Sequence, residues 1–151
     1  MDAKYFEKIR ILDGGMGQEL LSKGLVSKGT LWSASALIEK EFHKLVIDAH
    51  ISYINAGADI IVTNNFSARK IRFIQNKVLD KFQYANEQAG ILANKAREIS
   101  KQNILIAGSL PSQNDTYVED ERSSSEIQSD FEEQAKIISP YVDFFYLDVV
   151  S

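Results

Sequence analysis

The chain has 151 residues, room for one domain at ~150 residues per domain, so residues 1–151 are read as a single unit. With 44% hydrophobic and 25% charged residues it has the make-up of an ordinary globular protein, which excludes a disordered tail, a collagen-like fibre and a low-complexity array. Lys+Arg 17 against Asp+Glu 21 leave a net charge of -4, the reverse of a nucleic-acid-binding footprint, and the absence of cysteine excludes disulfides, thiol nucleophiles and Cys-based zinc or iron–sulfur centres within this sequence.

Met1 to Lys8 lack the apolar stretch of a signal peptide and no run of ~18 apolar residues follows, so no membrane is expected as a partner and the cytoplasm is the expected address. Residues 9–13, Ile-Arg-Ile-Leu-Asp, read as a first buried strand running into the Gly-rich turn Gly14-Gly15-Met16-Gly17. A short helix over 18–23 closes at Gly24, and 27–32 reads as loop. From 38 to 55, Phe42, Leu45, Val46, Ala49, Tyr53 and Ala56 fall at three-and-four spacing on one helical face, which Asn55 and Gly57 end.

The β-branched run 59–63 predicts a second strand, buried on both faces, before a polar turn at 64–67. A further amphipathic helix carries the stripe Phe82, Ala85, Ala89, Leu92, Ala96 and Ile99. A third strand at 104–107 is expected to stop at Gly108, and 109–125 reads as a long exposed loop. A last helix with Ile127, Phe131, Ala135 and Ile138 runs to Pro140, and a fourth strand covers 143–150.

Strands alternating with helices require a parallel sheet joined by right-handed crossovers, so the fold class is α/β. An open doubly wound sheet and part of a (β/α)8 barrel both fit. In either, functional groups collect on loops beyond the C-terminal ends of the strands.

Asp13, Asn64 and Asp148 each stand at or just past such an end, where they converge on one rim as acceptors for an ammonium group, a metal or a proton. Helix capping is the competing role for each. Trp32, in a loop on the same rim, supplies either an apolar pocket wall or core packing. Gly14, Gly15 and Gly17 fail the dinucleotide fingerprint because Leu20 stands where the third glycine belongs, leaving a turn with positive φ or close approach of a ligand. His43 and His50, two turns apart on one helix, are too far apart to share a metal and read as surface or boundary residues.

Ile11-Leu12-Asp13-Gly14-Gly15-Met16-Gly17-Gln18-Glu19-Leu20, then Ile54-Asn55-Ala56-Gly57-Ala58-Asp59-Ile60-Ile61-Val62-Thr63-Asn64, then Ala107-Gly108-Ser109-Leu110-Pro111 resemble successive strand signatures of the homocysteine S-methyltransferases. Pro140-Tyr141-Val142-Asp143-Phe144-Phe145 fits the same pattern. The resemblance implies a TIM-type (β/α)8 barrel in which the thiolate of zinc-bound homocysteine takes a methyl group from a sulfonium or quaternary-ammonium donor to give methionine. Metal coordination keeps such a thiol deprotonated at neutral pH.

Carried over by position, Asp13 and the backbone at Gly14 lie near the amino-acid end of homocysteine, with Asn64 and Trp32 lining the pocket. Asp148 falls where the family usually has a glutamate that contacts the substrate's amino group. No catalytic residue and no metal ligand is assigned within the sequence, because the zinc of the complete enzymes is held by cysteines of the second half of the barrel.

A (β/α)8 barrel typically needs ~250 residues, so the expected architecture is a half-barrel, its first four strands. Its open edges and uncovered inner face call for a partner: a second copy or a C-terminal half. Alone it is expected to be a homodimer or insoluble, and not to turn over. A non-catalytic half-barrel that binds a small amino acid or a partner polypeptide is the alternative, and a complete doubly wound domain is a third reading.

Overall fold

The computed structural model describes residues 3–116 and 119–149. After a 3-10 turn at Ala3–Glu7 come α1 (Met16–Ser22), α2 (Ser35–Ile38), α3 (His43–Asn55), β1 (Ile60–Val62), α4 (Lys70–Gln75), α5 (Phe82–Ser100), β2 (Leu105–Pro111), α6 (Ser124–Ile138) and β3 (Phe144–Asp148). The strands form one parallel sheet in the order β1-β2-β3. The α/β class is as expected.

The predicted first strand is reduced to a bridge between Leu12 and Ile60, so the sheet has three strands where the half-barrel reading expects four. Two side chains take over what a longer ladder would do. The Asp59 carboxylate accepts the Ile11 N–H at 2.8 Å, and the Asp13 carboxylate accepts the Val62 N–H at 2.9 Å. Asp143 repeats the first device one layer on, accepting Ile106 N–H at 2.7 Å while pairing with Arg97 at 2.8 Å.

Glycine ends two helices in the same way. Gly24 and Gly57 adopt φ of 99° and 103°, and the residue after each donates back across the last turn, Leu25 N to Leu20 O at 2.9 Å and Ala58 N to Tyr53 O at 3.1 Å. Ser123 opens α6 with a capping box to Glu126. The helix expected over 38–55 starts only at His43, because Glu39 is extended and separates α2 from α3. The loop expected at 27–32 is partly a 3-10 turn, Gly29–Ala34.

Gly108 does not stop the third strand, which runs on to Pro111. Its missing Cβ lets Phe145 and Val142 pack against the backbone, since a methyl there would meet their side chains at 3.1 and 3.2 Å. The long exposed loop at 109–125 is correspondingly shortened at its start, and Ser109 and Gln113 within it are buried. The fourth predicted strand ends at Asp148; Val150 and Ser151 lie outside the described residues.

The core forms where α3, α5 and α6 pack on the sheet and on one another. Ile61 and Ile106 meet Val46, Ala49 and Ile54 of α3 and the alanine face of α5, Ala85, Ala89, Ala93 and Ala96. Ile99, expected on that stripe, is exposed. Small residues let α5 approach its neighbours closely, and Gly90 is the extreme case, with Tyr141 Cβ 2.4 Å from where its own Cβ would be. Gly90→Ala is therefore expected to lower stability, since overpacking at ~1–3 kcal/mol outweighs the ~1 kcal/mol by which Ala is the better helix former. Thermal melting followed by circular dichroism should show a lower Tm; an unchanged or higher Tm would refute the close-packing account.

β3 pairs only with β2 among the described residues, and Phe145, Tyr146, Leu147 and Val149 are exposed along it, Leu147 by 66%. Among the described residues no helix is long and apolar enough to cross a membrane.

Candidate functional site

A cavity of about 310 Å³ opens at the C-terminal ends of the strands, and Asp13, Gly14, Trp32, Asn64 and Asp148 all line it. The sequence expectation that these residues share one rim is thereby met in geometry. Parallel pleating explains the convergence. Tyr146 and Asp148 lie two apart on β3 and so face the same side, and Asn64 stands just past the end of β1 on the same rim.

Asp13 and Asp148 give the cavity its electrostatic character. Burial pushes the Asp13 carboxyl up to about 7, a rise opposed by the Val62 N–H and reinforced by the negative charge of Asp148. Burial also raises Asp148, against a hydrogen bond donated by the Ser109 hydroxyl at 2.9 Å. Among the described residues no Lys or Arg lines the cavity to neutralise the pair. Leu12, Met16, Trp32, Val62, Phe66 and Tyr146 supply apolar and aromatic wall around it. Two poorly solvated carboxyl groups among apolar side chains make a receptor for a small cation with an apolar body.

The remaining lining residues are held by backbone and glycine contacts. Asn64 Nδ2 donates to the Ser33 carbonyl at 3.2 Å. Trp32 has φ 46° and ψ -122°, a conformation that costs a bulky residue of order 1–3 kcal/mol. That backbone presses the indole onto Gly17, where a Cβ would lie 2.6 Å from the ring. Gly14 is crowded in the same manner by the ring of Tyr53 at 2.9 Å. The positive-φ glycines are Gly24, Gly29 and Gly57, so the turn reading of Gly14, Gly15 and Gly17 is corrected: Gly14 and Gly17 are glycines because aromatic rings of the protein itself come close.

Neither histidine lines the cavity. His43 Nε2 lies 3.0 Å from the Leu37 carbonyl. His50, expected at the surface or boundary, is fully buried with neither ring nitrogen hydrogen-bonded, and burial holds its pKa at about 4, so it is neutral. The residues present do not fit the zinc centre that the resemblance implies for the complete enzymes: the sequence has no thiol to offer, and no three His, Asp or Glu cluster among the described residues.

Sequence reasoning missed Tyr146, Thr63, Phe66, Ser33 and Ser109. The alternation rule applied back from Asp148 finds Tyr146. Ser109 is a polar residue inside a strand that runs four residues past its expected end at Ala107.

A parallel α/β unit with an acidic, partly aromatic pocket at the carboxyl ends of its strands has the layout of the α/β proteins whose functional groups collect on the loops there. The chain belongs to the homocysteine S-methyltransferase family, whose profile matches residues 10–151. It is 33% identical over 115 residues to the homocysteine S-methyltransferase of Escherichia coli, an alignment spanning 69% of this chain and 35% of that protein. Homocysteine S-methyltransferase 2 of Zea mays is 34% identical over 90 residues, 60% of this chain and 24% of its own. Among solved structures, the oxidized form of the homocysteine methyltransferase MmuM from Escherichia coli superposes with a TM-score of 0.81 at 25% identity, covering 98% of this chain and 55% of that one. Its metallated form gives 0.77 at 26% identity, covering 95% and 55%. The chain thus spans about half the length of its solved relatives and about a third or less of these curated ones.

Proposed function

We propose that the cavity is the amino-acid pocket of a homocysteine S-methyltransferase-like protein, with the ammonium group of homocysteine held at Asp13 and Asp148 and its apolar chain against Trp32. The observation that carries this reading is the meeting of both carboxyl groups and Trp32 at one cavity with no basic residue lining it among the described residues. A charge-assisted pair with an ammonium relieves the burial that raises both acids. Asp148 reaches one methylene less far than the glutamate common in the family, and the Ser109 hydroxyl partly fixes where it points.

Methyl transfer from a sulfonium or quaternary-ammonium donor, yielding methionine, is the activity proposed for the complete protein. This chain is proposed to supply the amino-acid pocket, as a (β/α) half-barrel of the TIM type, and not the zinc centre. Its exposed β3 is proposed as the edge where further strands add, either from a C-terminal half or from a second copy. A half-barrel that binds an amino acid or a polypeptide without catalysis is the second reading, favoured by the same exposed strand.

Isothermal titration of the chain with homocysteine, without added metal, tests the pocket. Binding is expected, and Asp148→Ala is expected to weaken it at least about tenfold, the worth of one hydrogen bond to a charged group. No binding by the unaltered chain, or equal affinity in the variant, would refute the assignment. Light scattering on the same sample reports whether β3 is covered by a second copy.

A further inference from the structure

We propose that Ser109 is a positioning residue for Asp148, and that a buried hydrogen-bond network from the loop after β1 to α6 exists to hold Ser109 in place. Ser109 is fully buried, and its hydroxyl donates to Asp148 Oδ2 at 2.9 Å. Both polar groups of its backbone are engaged by side chains of the neighbouring connection. Its N–H donates to Thr63 Oγ1 at 3.0 Å, and its carbonyl accepts from Asn65 Nδ2 at 2.9 Å.

The directions of these bonds are fixed by chemistry. A carbonyl only accepts, so the Asn65 amide must turn its nitrogen to Ser109 and its oxygen to the Thr63 hydroxyl, 2.6 Å away. The Thr63 hydroxyl has then spent its one proton and meets Ser109 N–H as an acceptor. Asn86 is fixed in the same way: its nitrogen donates to the carbonyls of Ala68 and Phe82, both at 3.0 Å, which leaves its oxygen for Asn65 and for Gln134. Gln113 completes the chain by donating to Gln134 Oε1 at 2.9 Å. Thr63, Asn65, Asn86, Gln113 and Gln134 are all buried, so every rotor in the path is pinned and none is exchanged with water.

One hydroxyl proton leaves this network toward the cavity, that of Ser109. A carboxylate accepts it and a neutral acid competes poorly for it, so Ser109 favours the ionised form of Asp148 and selects the rotamer in which Oδ2 turns toward β2. The pocket thereby keeps one acid charged and aimed although burial disfavours its charge. The effect on Asp148 stands without the homocysteine reading; the effect on affinity rests on it.

The test is a carbon-13 NMR titration of the Asp148 carboxyl in the unaltered chain, Ser109→Ala and Ser109→Cys, with homocysteine affinity measured in parallel at neutral pH. Ser109→Ala is expected to raise the Asp148 pKa by about one pH unit, the tenfold change in proton affinity that loss of one such bond brings. Ser109→Cys, with its weak donor, is expected to fall between the two and carries the test should the alanine variant fail to fold. An Asp148 pKa unchanged in the folded variants overturns the proposal, whatever the affinity does. A raised pKa with homocysteine affinity reduced several-fold supports it together with the proposed function. A raised pKa in a chain that never binds homocysteine supports the positioning role and refutes the proposed ligand.

Discussion

In the proposed pocket, homocysteine binding is expected to weaken about a hundredfold between pH 8 and pH 5, because Asp13 must release a proton before it can pair with an ammonium group. The free chain holds that proton up to about pH 7, since burial and the charge of Asp148 both favour the neutral acid. An ammonium in the cavity reverses the preference. The complex therefore binds fewer protons than the free chain, and affinity rises with pH until Asp13 is ionised in both states, levelling above 7. Asp13→Asn removes the titration while its amide oxygen can still accept the Val62 N–H, so its affinity profile is expected to be much flatter, with the residual slope owed to Asp148. Calorimetric affinities at a series of pH values measure both. Equal slopes in the two proteins would show that Asp13 does not meet the ligand's charge.

The parts of this molecule legible in its sequence are those governed by local chemistry. Apolar periodicity locates α3 and α5, and Gly24 and Gly57 end α1 and α3 with the left-handed backbone that glycine alone adopts freely. Asp13, Asn64 and Asp148 share a cavity because parallel strands gather their carboxyl ends on one side. What was not legible depends on partners distant in the chain. Gly108 continues β2, contrary to its breaker character, because Phe145 and Val142 fill the space above it. Ser109 sits in that misread stretch, and its importance is set by Asp148, 39 residues later. The first strand stops at a single bridge because the Asp13 side chain takes the Val62 N–H that the next rung would use, a substitution that no propensity scale contains. His50 reads as a surface or boundary residue by its polar ring, yet it stands one turn after Val46 and one before Ile54, and packing buries all three, His50 without a hydrogen-bond partner.

That buried histidine and the buried Asp13 work against one another in the pH dependence of stability. His50 has a pKa of about 4 in the folded chain against its ordinary 6.5, so between those values the unfolded state takes up a proton that the native state refuses. Its contribution is present above pH 6.5 and is lost on acidification, by about 3 kcal/mol at ~1.4 kcal/mol per pH unit. Asp13 has the opposite sign. Its folded pKa of about 7 lies above the ordinary 3.8, so the native state keeps a proton that the unfolded state has lost, and stability falls as pH rises through that window. The full conversion would be about 4 kcal/mol, trimmed by water on the cavity side to a size close to that of His50. Over pH 4 to 7 the two effects nearly cancel in the unaltered chain, and single substitutions separate them. Asp13→Asn is expected to leave a protein that loses about 3 kcal/mol relative to the parent as pH falls from 7 to 4. His50→Leu, apolar and of similar volume, is expected to gain relative to the parent over the same range. Urea unfolding at each pH supplies the difference curves, in which carboxylates common to all three proteins drop out. Difference curves that stay flat with pH would mean that neither group titrates as its burial requires.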